Sequence, residues 1–328
     1  MASAADANDQ APTGAKPNAE HRSKHRHGHE HQAARHGKPH GHGGEAHAKG
    51  HEKGHDKGHE EGHEEIDTEN LFGITQGSDL GKRGEIALQS EGMGGFGLGD
   101  GRYAAWSNVY QLKYSVTDDF RIAPYLATTF NSISGSSSLQ DVNALDFQGG
   151  GVEFRYRFLN RESAPFGFTV VLDPHANRID SFDGTKVSQS GVAVMALADR
   201  ELIKDRLFVA FNAVYEPEWS RDATGMSLDE SRLGFGTALT AQLAPHLFVG
   251  AEARYLRRYD GVGLDSFRED AWYVGPTLAA NLCKNLTMTL AWNIKAANAT
   301  VADPAFGTSH FANNVVLARF NYIFPEAR

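Results

Sequence analysis

The chain has a single cysteine, Cys283, in 328 residues, so no disulfide within it can brace the fold. A chain exported to an oxidising compartment tolerates that absence. No run approaches the roughly 18 consecutive apolar residues that a membrane-crossing helix needs, which excludes that route through a bilayer. Large apolar side chains are nearly missing from residues 1–65, which hold nine Lys and Arg against eleven Asp and Glu. The net charge is −9, so the remainder is acidic too. That argues against nucleic acid as a partner, because phosphate binding needs a clustered basic surface. The start, Met1-Ala-Ser-Ala-Ala-Asp6, lacks the basic and apolar regions of a secretory signal. Since the rest of the chain reads as exported, the expectation is a sequence that begins at or near its mature end, or a misassigned start.

What the first 65 residues do contain is histidine: thirteen of the sixteen in the chain fall between His21 and His63. Such a segment cannot bury enough apolar surface to offset its ordering entropy and is expected to be disordered. His25, His27, His29 and His31 recur every second residue, and His47, His51, His55, His59 and His63 every fourth. Neutral imidazole is a good ligand for Zn, Ni, Co and Cu, with nearby carboxylates available to complete a shell. A divalent transition metal on this tail is the cofactor expectation, weakening below about pH 6 as the imidazoles protonate. A solvated linker, or a pH-responsive polycation, remains open.

From Gly84 to Phe324 the chain repeats one theme, a stretch of alternating apolar and polar residues followed by a break rich in Gly, Asp, Ser and Asn. Leu286, Met288, Leu290, Trp292 and Ile294 alternate with Thr287, Thr289, Ala291, Asn293 and Lys295, and Val152, Phe154, Tyr156 and Phe158 with Glu153, Arg155 and Arg157. Period 2 is the strand signature. About twelve such stretches begin near Gly84, Tyr103, Phe120, Asp146, Pro165, Ser188, Leu207, Arg232, Leu247, Ala271, Leu286 and Asn314. Gln189–Ala198 is the least regular of them, and Pro124 and Pro276 would each remove a ladder hydrogen bond. Short breaks such as Thr117–Asp119, Ala244–His246 and Cys283–Asn285 alternate with longer ones: Gly92–Arg102, Ser132–Leu145, Arg178–Val187, Ser220–Ser231, Gly261–Asp270 and Ala297–Asn313.

Period 2 alone also fits a soluble sandwich or propeller. Three features favour a membrane barrel, in which every backbone group is paired internally. Charges sit at mid-stretch on the polar faces: Glu153, Arg155, Arg157, Glu252 and Arg254. Aromatics gather near stretch ends (Trp106, Tyr110, Tyr114, Phe158, Tyr215, Tyr255, Trp272, Tyr322) as interfacial girdles do. The stretches are also similar in length, with no helical pattern between them. The expected fold is all-β: a closed, antiparallel, up-and-down transmembrane barrel over 84–324, preceded by a disordered tail 1–65 and a linker or small plug 66–83, and followed by a short extension 325–328. Of the two readings of 66–83, packing beneath the first strand is favoured over entry into the lumen.

The last stretch is the most specific. Val316, Ala318, Phe320, Tyr322 and Phe324 alternate with Leu317, Arg319, Asn321 and Ile323. It resembles the terminal strand of Gram-negative outer-membrane β-barrel proteins of porin-like type, although Pro325–Arg328 follows where that family usually ends on the final Phe. The resemblance implies a bacterial outer-membrane location, assembly by the barrel-assembly machinery, contact with lipids and lipopolysaccharide, long loops outside the cell, and both short turns and tail in the periplasm. Copper-resistance outer-membrane proteins are similar in layout, but their tracts are methionine-rich and this tail holds only Met1.

The leading functional expectation is a channel for metal ions or small solutes, not an enzyme, with Glu153, Arg155, Arg157, Glu252 and Arg254 as lumen charges that select solutes. The alternatives are a structural or surface-interaction barrel, in which those charges simply pair, and a lipid-modifying enzyme. The last would have to use His310, next to Ser309 in a long break, or His175, after Asp173-Pro174. His246 sits in a short turn, on the wrong side for such a site. Arg257 shares the parity of Tyr255 and is expected at the outer rim. Gly92–Gly101 mimics a phosphate-binding loop but leads into no helix, and is expected to be a mobile external loop.

Overall fold

The computed structural model describes residues 66–222, 224–227, 229–300 and 309–325. The tail histidines, His21 to His63, lie outside the described residues. Among the described residues twelve strands form, and no helix: β1 Ile86–Phe96, β2 Arg102–Thr117, β3 Phe120–Ser134, β4 Val142–Leu159, β5 Gly167–Ile179, β6 Lys186–Ile203, β7 Leu207–Arg221, β8 Glu230–Ala244, β9 Leu247–Asp260, β10 Ser266–Cys283, β11 Leu286–Thr300 and β12 Asn314–Ile323. Each pairs antiparallel with its neighbours in sequence, and β12 pairs with β1 to close the barrel.

Alternation decides what faces where. On β11, Thr289, Ala291 and Asn293 are buried at 1%, 4% and 0% exposure, while Leu290, Trp292 and Ile294 are exposed at 38%, 50% and 44%. On β4, Tyr156 and Phe158 are exposed and Glu153 and Arg155 buried. Polar residues thus point into the barrel and apolar ones out, the reverse of a soluble barrel. Water does not tolerate such a continuous greasy exterior, whereas hydrocarbon does. This is a transmembrane barrel.

The strands run from 10 to 18 residues, and about 9–11 tilted residues suffice to cross the apolar band. Most therefore continue past it, and among the connections described throughout, those at one end shrink to 97–101, 135–141, 180–185 and 261–265. They are shorter than the sequence suggests because a polar, glycine-rich stretch can still pair. Gly92–Arg102 shows how: β1 runs on to Phe96, paired with β2 and β12. The indole of Trp106 lies across Gly92 and Gly94, where an added Cβ would come within 2.4 and 2.3 Å of it. Half of the presumed mobile loop is strand whose glycines make room for a tryptophan.

Both prolines stay within long strands, at a local expense. The β2–β3 ladder skips Ala123 and Pro124, and the β10–β11 ladder skips Gly275 and Pro276, with the register the same on either side of each gap. Arg257 stacks on Phe267, 4.5 Å from the ring centre, and on Tyr259 at 5.2 Å.

Candidate functional site

The lumen is the candidate site, and residues 66–81 occupy it. The segment does not pack beneath β1. It enters the barrel at the end that carries the short turns and folds back on itself, Thr68 donating to the Asp79 carboxylate (2.9 Å) and the Gly77 amide to the Glu69 carbonyl. Two forces draw it inward. Leu71 and Phe72 bury themselves against Phe208, Ala210, Ala238, Phe248 and Ala279, an apolar patch on an otherwise polar inner wall. Full burial of two such side chains contributes about 1.5–3 kcal/mol each. The remainder of the segment meets wall polar groups that would otherwise be unsatisfied.

Those contacts reach side chains of β2 through β12. Glu69 is gripped from three strands: Lys113 Nζ donates at 2.7 Å, Arg121 bidentately at 2.7 and 2.6 Å, and Arg155 Nη1 lies 3.5 Å away. All four groups are buried. Burial pushes the Glu69 carboxyl up, but Arg121 and Lys113 outweigh it and hold it well below the usual carboxylate range. Thr75 donates through its amide (2.9 Å) and hydroxyl (3.0 Å) to Glu252. Gln76 exchanges hydrogen bonds with Asn212 and accepts one from Arg155. Ser78 donates to Asp199, Arg161 to Asp79 (3.0 Å), Thr289 to the Asn70 carbonyl and Arg319 to the Gly73 carbonyl (3.1 Å).

Gly73 is the hinge of the segment. Its φ is +93°, a region open mainly to glycine, and an added Cβ would lie 2.6 Å from Thr277 Cγ2 and 3.0 Å from Glu252 Oε1. Only a hydrogen atom fits there.

The residues singled out in the sequence therefore sit as follows. Glu153 bridges Arg155 (2.7 Å) and Arg121 (3.6 Å). Glu252 binds the segment and accepts from Asn293 at 2.7 Å. Arg157 lies nearer the turns, 3.1 Å from Asp119 and 3.9 Å from Asp79. Arg254 follows Glu252 two residues on along the inner face of β9, its side chain beside Gly236. Sequence reasoning missed Lys113, Arg121, Asp199 and Arg319. The parity of the polar face would have found them; nothing local identifies Glu69 as their counter-charge.

Nearer the loops lies a second cluster. His175 Nδ1 is 3.1 Å from the Asp173 carbonyl, and Nε2 faces Glu218 at 3.4 Å and Glu216 at 3.9 Å. The ligand atoms of these three side chains all lie within 4.8 Å of one another, but the guanidinium of Arg232 already bonds Glu218 and lies 3.5 Å from Glu216. The loops then fold across the mouth. Tyr103 donates to the Phe182 carbonyl (3.0 Å), Phe182 packs on His310 at 4.5 Å, and Tyr273 donates to the Ala312 carbonyl (2.6 Å). Ser309 donates to Glu269 at 2.8 Å, and His310 Nδ1 lies 3.2 Å from the same carboxylate. Nucleophilic catalysis needs the imidazole between hydroxyl and acid. Here the acid stands between the other two.

The model of a family of unknown function, DUF6662, matches residues 64–297. No curated protein matches the chain. Among solved structures, an outer membrane channel from Pseudomonas putida F1 superposes with a TM-score of 0.54 and 15% identity, covering 75% of this chain and 98% of its own. NanC porin gives 0.45 and 7%, covering 72% and 98%. LpxR from Salmonella typhimurium gives 0.44 and 11%, covering 73% and 100%. The first of these likenesses is one of fold, that of bacterial outer-membrane barrels.

Proposed function

We propose that this chain, which belongs to the DUF6662 family of unknown function, is an outer-membrane channel for small solutes, closed at rest by its own residues 66–81. One observation carries the reading. Among the described residues, the backbone–backbone hydrogen bonds of 66–81 are internal to the segment, and the first to the wall is Gly84 to Ser115. Everything else that holds the segment in the lumen is a side-chain contact, so it can leave without opening a single rung of the barrel. A segment meant as permanent filling gains nothing from that separateness.

In this reading the short turns face the periplasm and the loops the exterior, with lipid and lipopolysaccharide around the apolar belt and insertion by the barrel-assembly machinery. The tail, joined directly to the segment, lies in the periplasm and binds Zn, Ni, Co or Cu through histidines such as His47, His51, His55, His59 and His63. The barrel itself needs no cofactor. A second reading, a closed structural barrel, draws on the loops that cover the other mouth.

Planar-bilayer conductance of the full chain and of Gly73→Val separates the two. The channel reading expects little current from the wild type and clear openings from Gly73→Val, whose added side chain cannot coexist with Thr277 and Glu252. Silence from both forms leaves the structural barrel. Titration of a synthetic 1–65 peptide with each metal tests the tail, and absence of heat with all four removes that part.

A further inference from the structure

We propose that Lys113, Arg121 and Arg155 form a binding site for carboxylate-bearing solutes, held at rest by Glu69 as an internal stand-in. The inference rests on the reading that the segment can leave the lumen. The three cations come from adjacent strands β2, β3 and β4 and converge on one carboxylate. Their own wall supplies less negative charge than they need: among the described residues, Glu153 is the one wall acid that bridges two of them, Arg155 and Arg121. Two of their donors are still unfilled with Glu69 in place: Arg121 Nε and Arg155 Nη1 have no hydrogen-bond partner among the described residues, although both side chains are at least nine-tenths buried. Buried guanidinium donors left open are costly, and a carboxylate bearing further oxygens would fill them where a single glutamate cannot.

The geometry favours a carboxylate over a looser anion. Arg121 meets both Glu69 oxygens in the planar fork that suits this group. The approach is from the turn end. Toward the loops the inner wall mixes the two signs, with Glu216, Glu218, Glu230 and Glu269 answered one for one or nearly so by Arg232, Arg258 and His175. An anion finds the positive charge there already matched, and is drawn to the turn-side cradle once Glu69 has left it.

The test is calorimetric titration of the full-length protein in detergent with citrate and, in a separate arm, inorganic phosphate. Four forms are compared: wild type, Glu69→Gln, Gly73→Val, and Glu69→Gln combined with Arg121→Gln. An internal competitor lowers apparent affinity by the fraction of time the site is free. Citrate should therefore bind roughly tenfold or more tighter to Glu69→Gln and Gly73→Val than to wild type, and the gain should vanish in the double variant. Equal citrate affinity in all four forms overturns the site, and so does a gain confined to phosphate. If Gly73→Val does not fold, Glu69→Gln carries the comparison. Conductance keeps the two readings apart: citrate binding without current removes the channel and leaves the cradle, while current without citrate binding does the converse.

Discussion

Glu69 shows how much one side chain can organise. Its carboxylate is held well below the ordinary range, Arg121 and Lys113 outweighing burial, which ties this residue's share of the seating to pH in a fixed direction. A group whose folded pKa is depressed stabilises the folded arrangement above its unfolded pKa and loses that contribution as pH falls through the folded one. That share should persist from neutral into mildly acidic solution and be lost only in strong acid. Asp67, which burial pushes up to about 7, loosens the seat only as it ionises on the alkaline side. Limited proteolysis within residues 66–81 across a pH series reads this directly, and release already near pH 6 would contradict it. In Glu69→Gln the share of acid sensitivity due to this residue disappears, and cleavage at neutral pH rises because the cradle is left short of charge. In the sequence, Lys113 and Arg121 lie on a legible polar face. Glu69 was not legible, because its meaning depends on partners 44 and 52 residues away.

At the scale of elements, the alternation carried the whole of the strand count. Each expected stretch, including the irregular Gln189–Ala198, became a strand, since period 2 with an uncharged outer face leaves few other ways to satisfy the backbone in lipid. The ends were illegible for a related reason. Glycine, serine and aspartate mark turns in water, but a neighbour that already offers a ladder can extend a strand through them, as β1 does from Gly92 to Phe96. The outward face makes a sharp prediction. Leu290→Arg places a charge in the apolar belt and should destabilise the barrel by about 2–4 kcal/mol if it lies near the bilayer midplane. Thr289→Ala, one residue away and pointing inward, should loosen only the segment through its lost bond to Asn70. Urea unfolding in lipid vesicles measures both. Similar losses for the two variants would mean that the faces have been assigned wrongly.

For the molecule as a whole, closure of β12 on β1 makes the wall self-sufficient, so deletion of residues 66–81 should leave a folded barrel. The deletion removes the burial of Leu71 and Phe72 and uncovers Lys113, Arg121 and Arg155 to water or anions. It should lower the unfolding midpoint measurably while leaving the β-sheet circular dichroism intact, and loss of the sheet signal would mean that the segment is part of the scaffold. The architecture was readable because it follows from local alternation. Whether 66–83 lay under the barrel or in it was not, since Leu71 and Phe72 advertise burial without saying where.

The segment touches Lys113 on the second strand and Arg319 on the last. Its seat consequently does not exist on any partly built sheet; it comes into being only when the final strand has found the first. An occupied seat is thus a certificate of completed assembly, written inside the cylinder by the stretch of chain that leaves the ribosome before any strand does.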